Sequence, residues 1–184
     1  SQELGVDLGG DKELITRIVE RVKDMESKGF TFEAADASFE LLVREEIAQK
    51  RPSFFNVQHW LTSVESDEQG NIVTKAEVTV AANGESLVCS GSGNGPVNAF
   101  DTALRSGLLK LYPELAELEL TDYKVRILEG NLGTGAITRV LVETSDKNGS
   151  WNTVGVHENV IAASAMALED ALTYGLIRQG RQPE

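Results

Sequence analysis

The sequence predicts an α+β protein in which a helical pair precedes two copies of a β-β-β-α unit, each an antiparallel three-stranded sheet with one helix. Three observations predict it. Apolar residues recur at spacings of 3 and 4 over the first third, strict alternation replaces that period after residue 53, and the chain matches itself at a shift of 64. The expected organisation is a helical connector over residues 1–52 and a two-unit domain over 53–184, with the units at 53–117 and 118–180.

In the first helix Asp11 can cap a segment whose apolar face is Leu14, Ile18, Val22 and Met25, and Gly29 is a natural stop. A second helix is expected to begin near Thr31, with Glu33 in its first turn and Phe32, Ala35, Phe39, Leu42, Val43 and Ile47 along one stripe, ending at Pro52. The acids and bases of this pair look scattered, as on the solvated face of a connector.

Phe54 to Ser66 alternates loosely and closes on the polar turn Asp67 to Asn71. Ile72, Thr74, Ala76, Val78 and Val80 then face one way, with Val73, Lys75, Glu77, Thr79 and Ala81 facing the other, as on a half-buried strand. Asn83-Gly84 supplies the positive-φ pair of a tight hairpin, Glu85 to Ser90 returns as a third strand, and a helix follows from Pro96 to about Leu111. The plan recurs: Tyr123, Val125 and Ile127 mark a strand, Gly130 to Gly135 a loop and Ala136 to Thr144 a second strand. A turn at Lys147-Asn148-Gly149, a third strand over Ser150 to Val156 and a helix to about Leu176 complete it. At the shift of 64, Gly91 pairs with Gly155, Ala99 with Ala163, Ala103 with Ala167, Leu104 with Leu168, Leu108 with Leu172, and Val97 with Ile161.

Composition narrows the function. The 184 residues are 41% hydrophobic and 25% charged, an ordinary globular balance, and 17 Lys plus Arg against 29 Asp plus Glu leave a net charge of −12. That sign disfavours nucleic acid and anionic membranes as partners. No stretch reads as a membrane span, and the opening residues lack the basic and apolar regions of a signal peptide, so the expected location is cytoplasmic. One cysteine, Cys89, forbids an internal disulfide, and with two histidines zinc chemistry is not expected.

Gly91-Ser92-Gly93-Asn94-Gly95-Pro96 joins a strand to a helix, where backbone N–H groups and the helix dipole favour a small anion. The other reading is close strand-to-helix packing that tolerates only glycine. The segment is neither a P-loop nor a dinucleotide fingerprint. At the equivalent corner, Gly155 to Asn159, His157 and Glu158 lack a nucleophile to serve, and a helix cap at Asn159 or Glu158 is the better expectation. His59 reads as an edge histidine and Cys89 as an inert strand thiol. Asp122 and Tyr123 place a carboxylate and a phenol on an otherwise apolar strand, just before the glycine-rich loop over 129–135. With Val97, Leu120, Ile127 and Val160 as an apolar wall, these features would suit an amino-acid ligand.

Gly-Asn-Gly-Pro-Val-Asn-Ala at 93–99, Asp-Tyr-Lys-Val-Arg-Ile-Leu at 122–128 and Thr-Val-Gly-Val-His-Glu-Asn-Val-Ile-Ala-Ala-Ser at 153–164 resemble the C-terminal regulatory domain of the 2-isopropylmalate synthase family. The Asp-Tyr-Lys-Val-Arg-Ile stretch and the closing helix look most like the citramalate synthase branch. The resemblance implies a parent enzyme that condenses acetyl-CoA with a 2-oxo acid on a divalent-metal-dependent TIM barrel. It implies no cofactor in this chain, which lacks the barrel and its His-x-His and is expected to be inactive alone. It further implies a homodimer that binds a branched-chain amino acid, isoleucine or leucine, for feedback inhibition. The effector-binding residues carried over are Gly93, Asn94, Gly95, Val97, Leu120, Tyr123, Ile127, Ala136, Thr138, Glu158 and Val160. Glu158 stands where relatives often carry a small residue or proline. The competing expectations are a dimerisation module without an effector and an independent enzyme using His157 and Glu158.

Overall fold

The computed structural model describes residues 9–128 and 136–184, so the loop over 129–135 lies outside the described residues. The elements run α1 (Lys12–Ser27), α2 (Asp36–Ala48), β1 (Asn56–Ser66), β2 (Ile72–Ala82), β3 (Glu85–Gly93), α3 (Pro96–Leu108), a short 3-10 helix (Pro113–Glu117), β4 (Glu119–Ile127), β5 (Thr138–Asp146), β6 (Gly149–His157) and α4 (Val160–Arg178). The expected α+β architecture is present, with antiparallel sheets ordered β1-β2-β3 and β4-β5-β6. By packing, Ser1–Pro52 groups with Glu119–Tyr174, and Ser53–Leu118 groups with Gly175–Glu184.

In the unit built on the first sheet, Asn83 and Gly84 take φ of 51° and 75°, the left-handed pair that a two-residue hairpin requires. Thr74, Ala76, Val78, Val80 and Ala82 are buried on one face of β2, as the alternation predicts, whereas Ile72 at the strand's start is 66% exposed. α3 covers that face with Ala99, Phe100, Ala103, Leu104 and Leu108, and each fully buried leucine contributes about 1.5–3 kcal/mol. Trp60 meets Phe100 edge-on at 6.2 Å between ring centroids. α3 stops at Leu108, three residues before the expected end; the backbone tightens there, Leu111 and Tyr112 N–H both donating to the Leu108 carbonyl. Tyr112 donates its hydroxyl to the Phe54 carbonyl (2.9 Å), and the Arg181 guanidinium lies over its ring.

In the other unit, Val140, Val142, Trp151 and Thr153 face α4. Trp151 Nε1 donates to the Ala171 carbonyl (3.1 Å) and Thr153 Oγ1 to that of Ala167 (2.7 Å), so these two polar atoms are satisfied, whereas Thr144 Oγ1, buried opposite Trp151 on the same face, has no hydrogen-bond partner. By length and composition α4 is long and apolar enough to cross a membrane, which corrects the expectation that no stretch comes close. Its hydropathy comes mainly from Val160, Ile161, Leu168, Leu172, Leu176 and Ile177, and Leu168, Leu172 and the alanines at 163, 165, 167 and 171 are buried in the fold, as in the core helix of a globular domain.

The first helix follows its pattern: Asp11 Oδ1 accepts from the Glu13 and Leu14 N–H groups, and Leu14 and Ile18 pack on Leu42 and Val43. The second departs from it. α2 begins at Asp36 rather than near Thr31, and Ile47 is 45% exposed. Phe32 stays outside the helix, held against Phe39 at 6.1 Å, while Asp36 Oδ1 and Ser38 Oγ accept from the Asn152 and Val154 N–H groups of β6. The helix start is thus set by what it must cover, the otherwise unpaired outer edge of β6. The charges of the pair are not merely scattered either: Arg21 donates to Glu45 (2.9 Å) and Glu46 (2.7 Å).

Candidate functional site

The two strand-to-helix corners are the same construction with different endings. A Cβ on Gly91 would lie 2.5 Å from the Ala103 nitrogen and 3.0 Å from the Ala99 oxygen. On Gly155 it would lie 1.9 Å from the Ala163 oxygen and 3.1 Å from the Ala167 nitrogen. Each sheet therefore rests on its helix through a glycine facing two alanines of that helix, which accounts for the glycine and alanine identities at the shift of 64, while the paired leucines, all fully buried, are core positions of the two helices. Gly93 is confined as well, though less tightly by fixed atoms, its Cβ position lying 2.8 Å from the Ala99 nitrogen. For these glycines the packing reading holds.

Gly95 is different. Nothing lies within 4 Å of its Cβ position and its φ of −165° is ordinary extended backbone, so packing does not demand glycine there. Gly95 caps α3 without any side-chain hydrogen bond, and Pro96 in the first turn has no N–H to offer. Asn98 Oδ1 accepts from Asn94 N–H at 3.3 Å and folds the corner back on itself. α4 begins otherwise: Asn159 Oδ1 accepts from Ile161 N–H (2.9 Å) and Ala162 N–H (3.0 Å), and His157 Nδ1 accepts from Asn159 N–H (2.9 Å). Asn159 is thus the cap that the sequence suggested, and His157 helps to shape it. The α4 start is closed by its own side chains, while the α3 start presents helix-dipole charge with no side chain upon it.

The eleven carried-over residues are distributed as follows. Gly93 ends β3, Asn94 and Gly95 form the first corner, and half-buried Val97 opens α3. In the other unit, Leu120, Tyr123 and Ile127 lie on the α4 side of β4, with Thr138 paired opposite Ile127 and Ala136 just ahead of it. Tyr123 shares a hydrogen bond with Ser164 Oγ at 2.8 Å, and Ser164 in turn donates to the Val160 carbonyl at 2.6 Å, so Tyr123, Ser164 and Val160 form one local group. Ile127 is 69% and Val160 39% exposed, an open apolar edge beside that phenol, while Glu158 points to solvent. Sequence reasoning missed Asn98 and Ser164; their signal is a polar side chain one helical turn from a named residue, Asn94 and Val160 respectively.

Electrostatically the unit's most perturbed groups sit farther along α4. Burial lifts the Asp170 carboxyl above the usual range against the pull of Arg51 and Ser38, and burial with Asp170 beside it pushes Glu169 up to about 7. Burial also raises the Cys89 thiol, consistent with an unreactive residue. Among the described residues no group of three or more His, Cys, Asp or Glu is placed to hold a metal ion.

The chain is thus a duplicated β-β-β-α protein led by a helical pair, with the start of α4 capped by its own side chain and that of α3 without a side-chain cap. Residues 33–176 match the LeuA allosteric (dimerisation) domain, and the chain belongs to that family. It is 57% identical over 182 residues to an (R)-citramalate synthase of Streptomyces coelicolor, covering 99% of this chain and 34% of that protein. The (R)-citramalate synthase of Synechocystis is 44% identical over 177 residues, covering 94% of this chain and 32% of that protein. A 2-isopropylmalate synthase of Aquifex aeolicus is 30% identical over 171 residues, covering 91% and 30%. The chain thus spans about a third of the length of these relatives.

Proposed function

We propose that this chain is the regulatory part of a longer cytoplasmic enzyme that condenses acetyl-CoA with a 2-oxo acid, pyruvate in the citramalate reading. In that role it dimerises and binds a branched-chain amino acid, isoleucine before leucine, as a feedback effector. The observation that carries the reading is the α3 start, uncapped by any side chain and opened by a glycine that packing does not require, in a chain of an allosteric-domain family. A carboxylate is what such a start accepts. The donors are assigned to Gly93, Asn94, Gly95 and Val97. Val97, Leu120, Ile127 and Val160 are assigned as apolar wall, and Tyr123, Ala136, Thr138 and Glu158 complete the carried-over set. The divalent metal ion and acetyl-CoA belong, in this reading, to a catalytic barrel in the part of the parent outside this chain, and the chain alone is inactive.

An effector inhibits only through differential affinity for two conformations, so this site must be better formed in the less active one. Thermal unfolding with isoleucine, leucine, valine and a polar amino acid tests the reading. At about 100 times its dissociation constant a true effector stabilises by about 2.7 kcal/mol, a rise in Tm of about 5–11 °C. No rise with any of the branched-chain amino acids would leave a dimerisation module without an effector.

A further inference from the structure

The helical pair is fastened to α4 by side chains buried more deeply than a mere link requires. Ser38, Glu40 and Asp170 are only 6%, 6% and 9% exposed. Ser38 Oγ donates to Asp170 Oδ2 (2.9 Å) and accepts from Val154 N–H (3.0 Å), so one hydroxyl joins α2, α4 and β6. Arg51, beyond the end of α2, pairs with the other Asp170 oxygen and with Glu45 at 3.4 Å. One turn along α4, Tyr174 donates its hydroxyl to Glu40 Oε2 at 2.7 Å, and the second Glu40 oxygen takes Arg44. Glu45 also accepts from Arg21, which carries the series on to α1.

Opening such a network is costly, because a buried carboxylate that loses its partners must either reach water or take up a proton, so it favours being wholly made over being partly made. Its anchors Asp170 and Tyr174 lie on the helix that opens at Val160, about 15 Å and 21 Å along it at 1.5 Å per residue. A rigid helix with an effector contact at one end and a breakable polar clasp toward the other can couple the two.

We propose that the contacts of Ser38 and Arg51 with Asp170, and of Tyr174 with Glu40, form the clasp through which effector occupancy at the start of α4 is felt by α1 and α2. This rests on the effector reading above, and α4 acts as the lever. Hydrogen exchange over residues 12–48, measured alongside the ligand-induced shift in Tm, tests it with isoleucine and leucine as probes. In the wild-type chain the bound amino acid slows exchange of these amides about fivefold or more. In Ser38→Ala and in Tyr174→Phe, the second of which keeps the ring against Trp151, the Tm shift persists but that protection disappears. Ligand binding without protection of α1 and α2 in the wild type, or protection that survives in both variants, overturns the clasp and leaves the effector reading standing. Absence of any Tm shift in the wild type overturns both.

Discussion

The two strand-to-helix corners descend from one pattern and have been put to different ends. Both seat a sheet on its helix through a glycine against alanines, Gly91 on Ala99 and Ala103, Gly155 on Ala163 and Ala167. Past that shared seat they diverge: Asn159 satisfies the first N–H groups of α4, while α3 starts from a bare glycine. The packing half of the motif is structural in both copies. The charge half is left open in one copy only, and an anion-binding role can be sought there without discarding the packing reading.

The largest effect should come from breaking the shared half. Gly155→Ala drives a methyl group into the Ala163 carbonyl and should cost about 3 kcal/mol, lowering Tm by about 6–12 °C, with Gly91→Ala following at a smaller cost. Equal tolerance of both substitutions in thermal unfolding would show that the seats are not what the geometry makes them. Next comes a position where the copies differ in charge. Arg105, in the first copy, donates to Asp101 and to the Leu118 carbonyl, whereas its counterpart at the shift of 64 is Glu169. An acid raised from 4.5 to about 7 in the folded state is favoured protonated, so stability is highest below pH 4.5, falls as pH rises toward 7, and stays at the lower level above. Glu169→Gln should remove Glu169's share of that slope, leaving the share of Asp170, whose carboxyl burial also raises, and stabilise the protein at pH 8 by about 1–2 kcal/mol, read from urea unfolding across pH.

Smaller still is the cap itself: Asn159→Ala should cost about 1 kcal/mol, seen as a shift of the urea midpoint at unchanged slope. Smallest in stability, but most informative, is Gly95→Asp, which gives the first corner the kind of cap that the second has. It should raise stability by a few tenths of a kcal/mol while placing a carboxylate where the effector's would sit, so that isoleucine no longer raises Tm. An isoleucine shift undiminished in that variant would move the carboxylate site away from the α3 start.

Much of the fold was legible because its signals are local. The period-2 alternation of β2, the Asn83-Gly84 turn and the Asp11 cap each depend on a few neighbouring residues, and the repeat showed where the helices begin. What could not be read was set by partners distant in the chain. The start of α2 follows the edge of β6 some 116 residues away, and the Ser38–Asp170 hydrogen bond spans 132. Both copies also carry a register irregularity early in the first strand, between Val57 and His59 and between Leu120 and Asp122, which alternation alone did not reveal. Of the candidate site, the glycine corner was visible as a motif, but that Gly95 is unconstrained while Gly91 and Gly93 are not is a matter of ångströms. The Tyr123–Ser164 hydrogen bond joins residues 41 apart, on a strand and a helix whose pairing no local signal records.

The way Asp36 and Ser38 occupy the margin of β6 limits how the sheet β4-β5-β6 can grow. With that margin taken by side chains, the outer border of β4 is the one in this sheet that pairs with no strand among the described residues. A sheet with one open border can accept a single neighbour and then has nowhere further to extend, so any strand-to-strand association through it halts at a pair instead of running on into a filament.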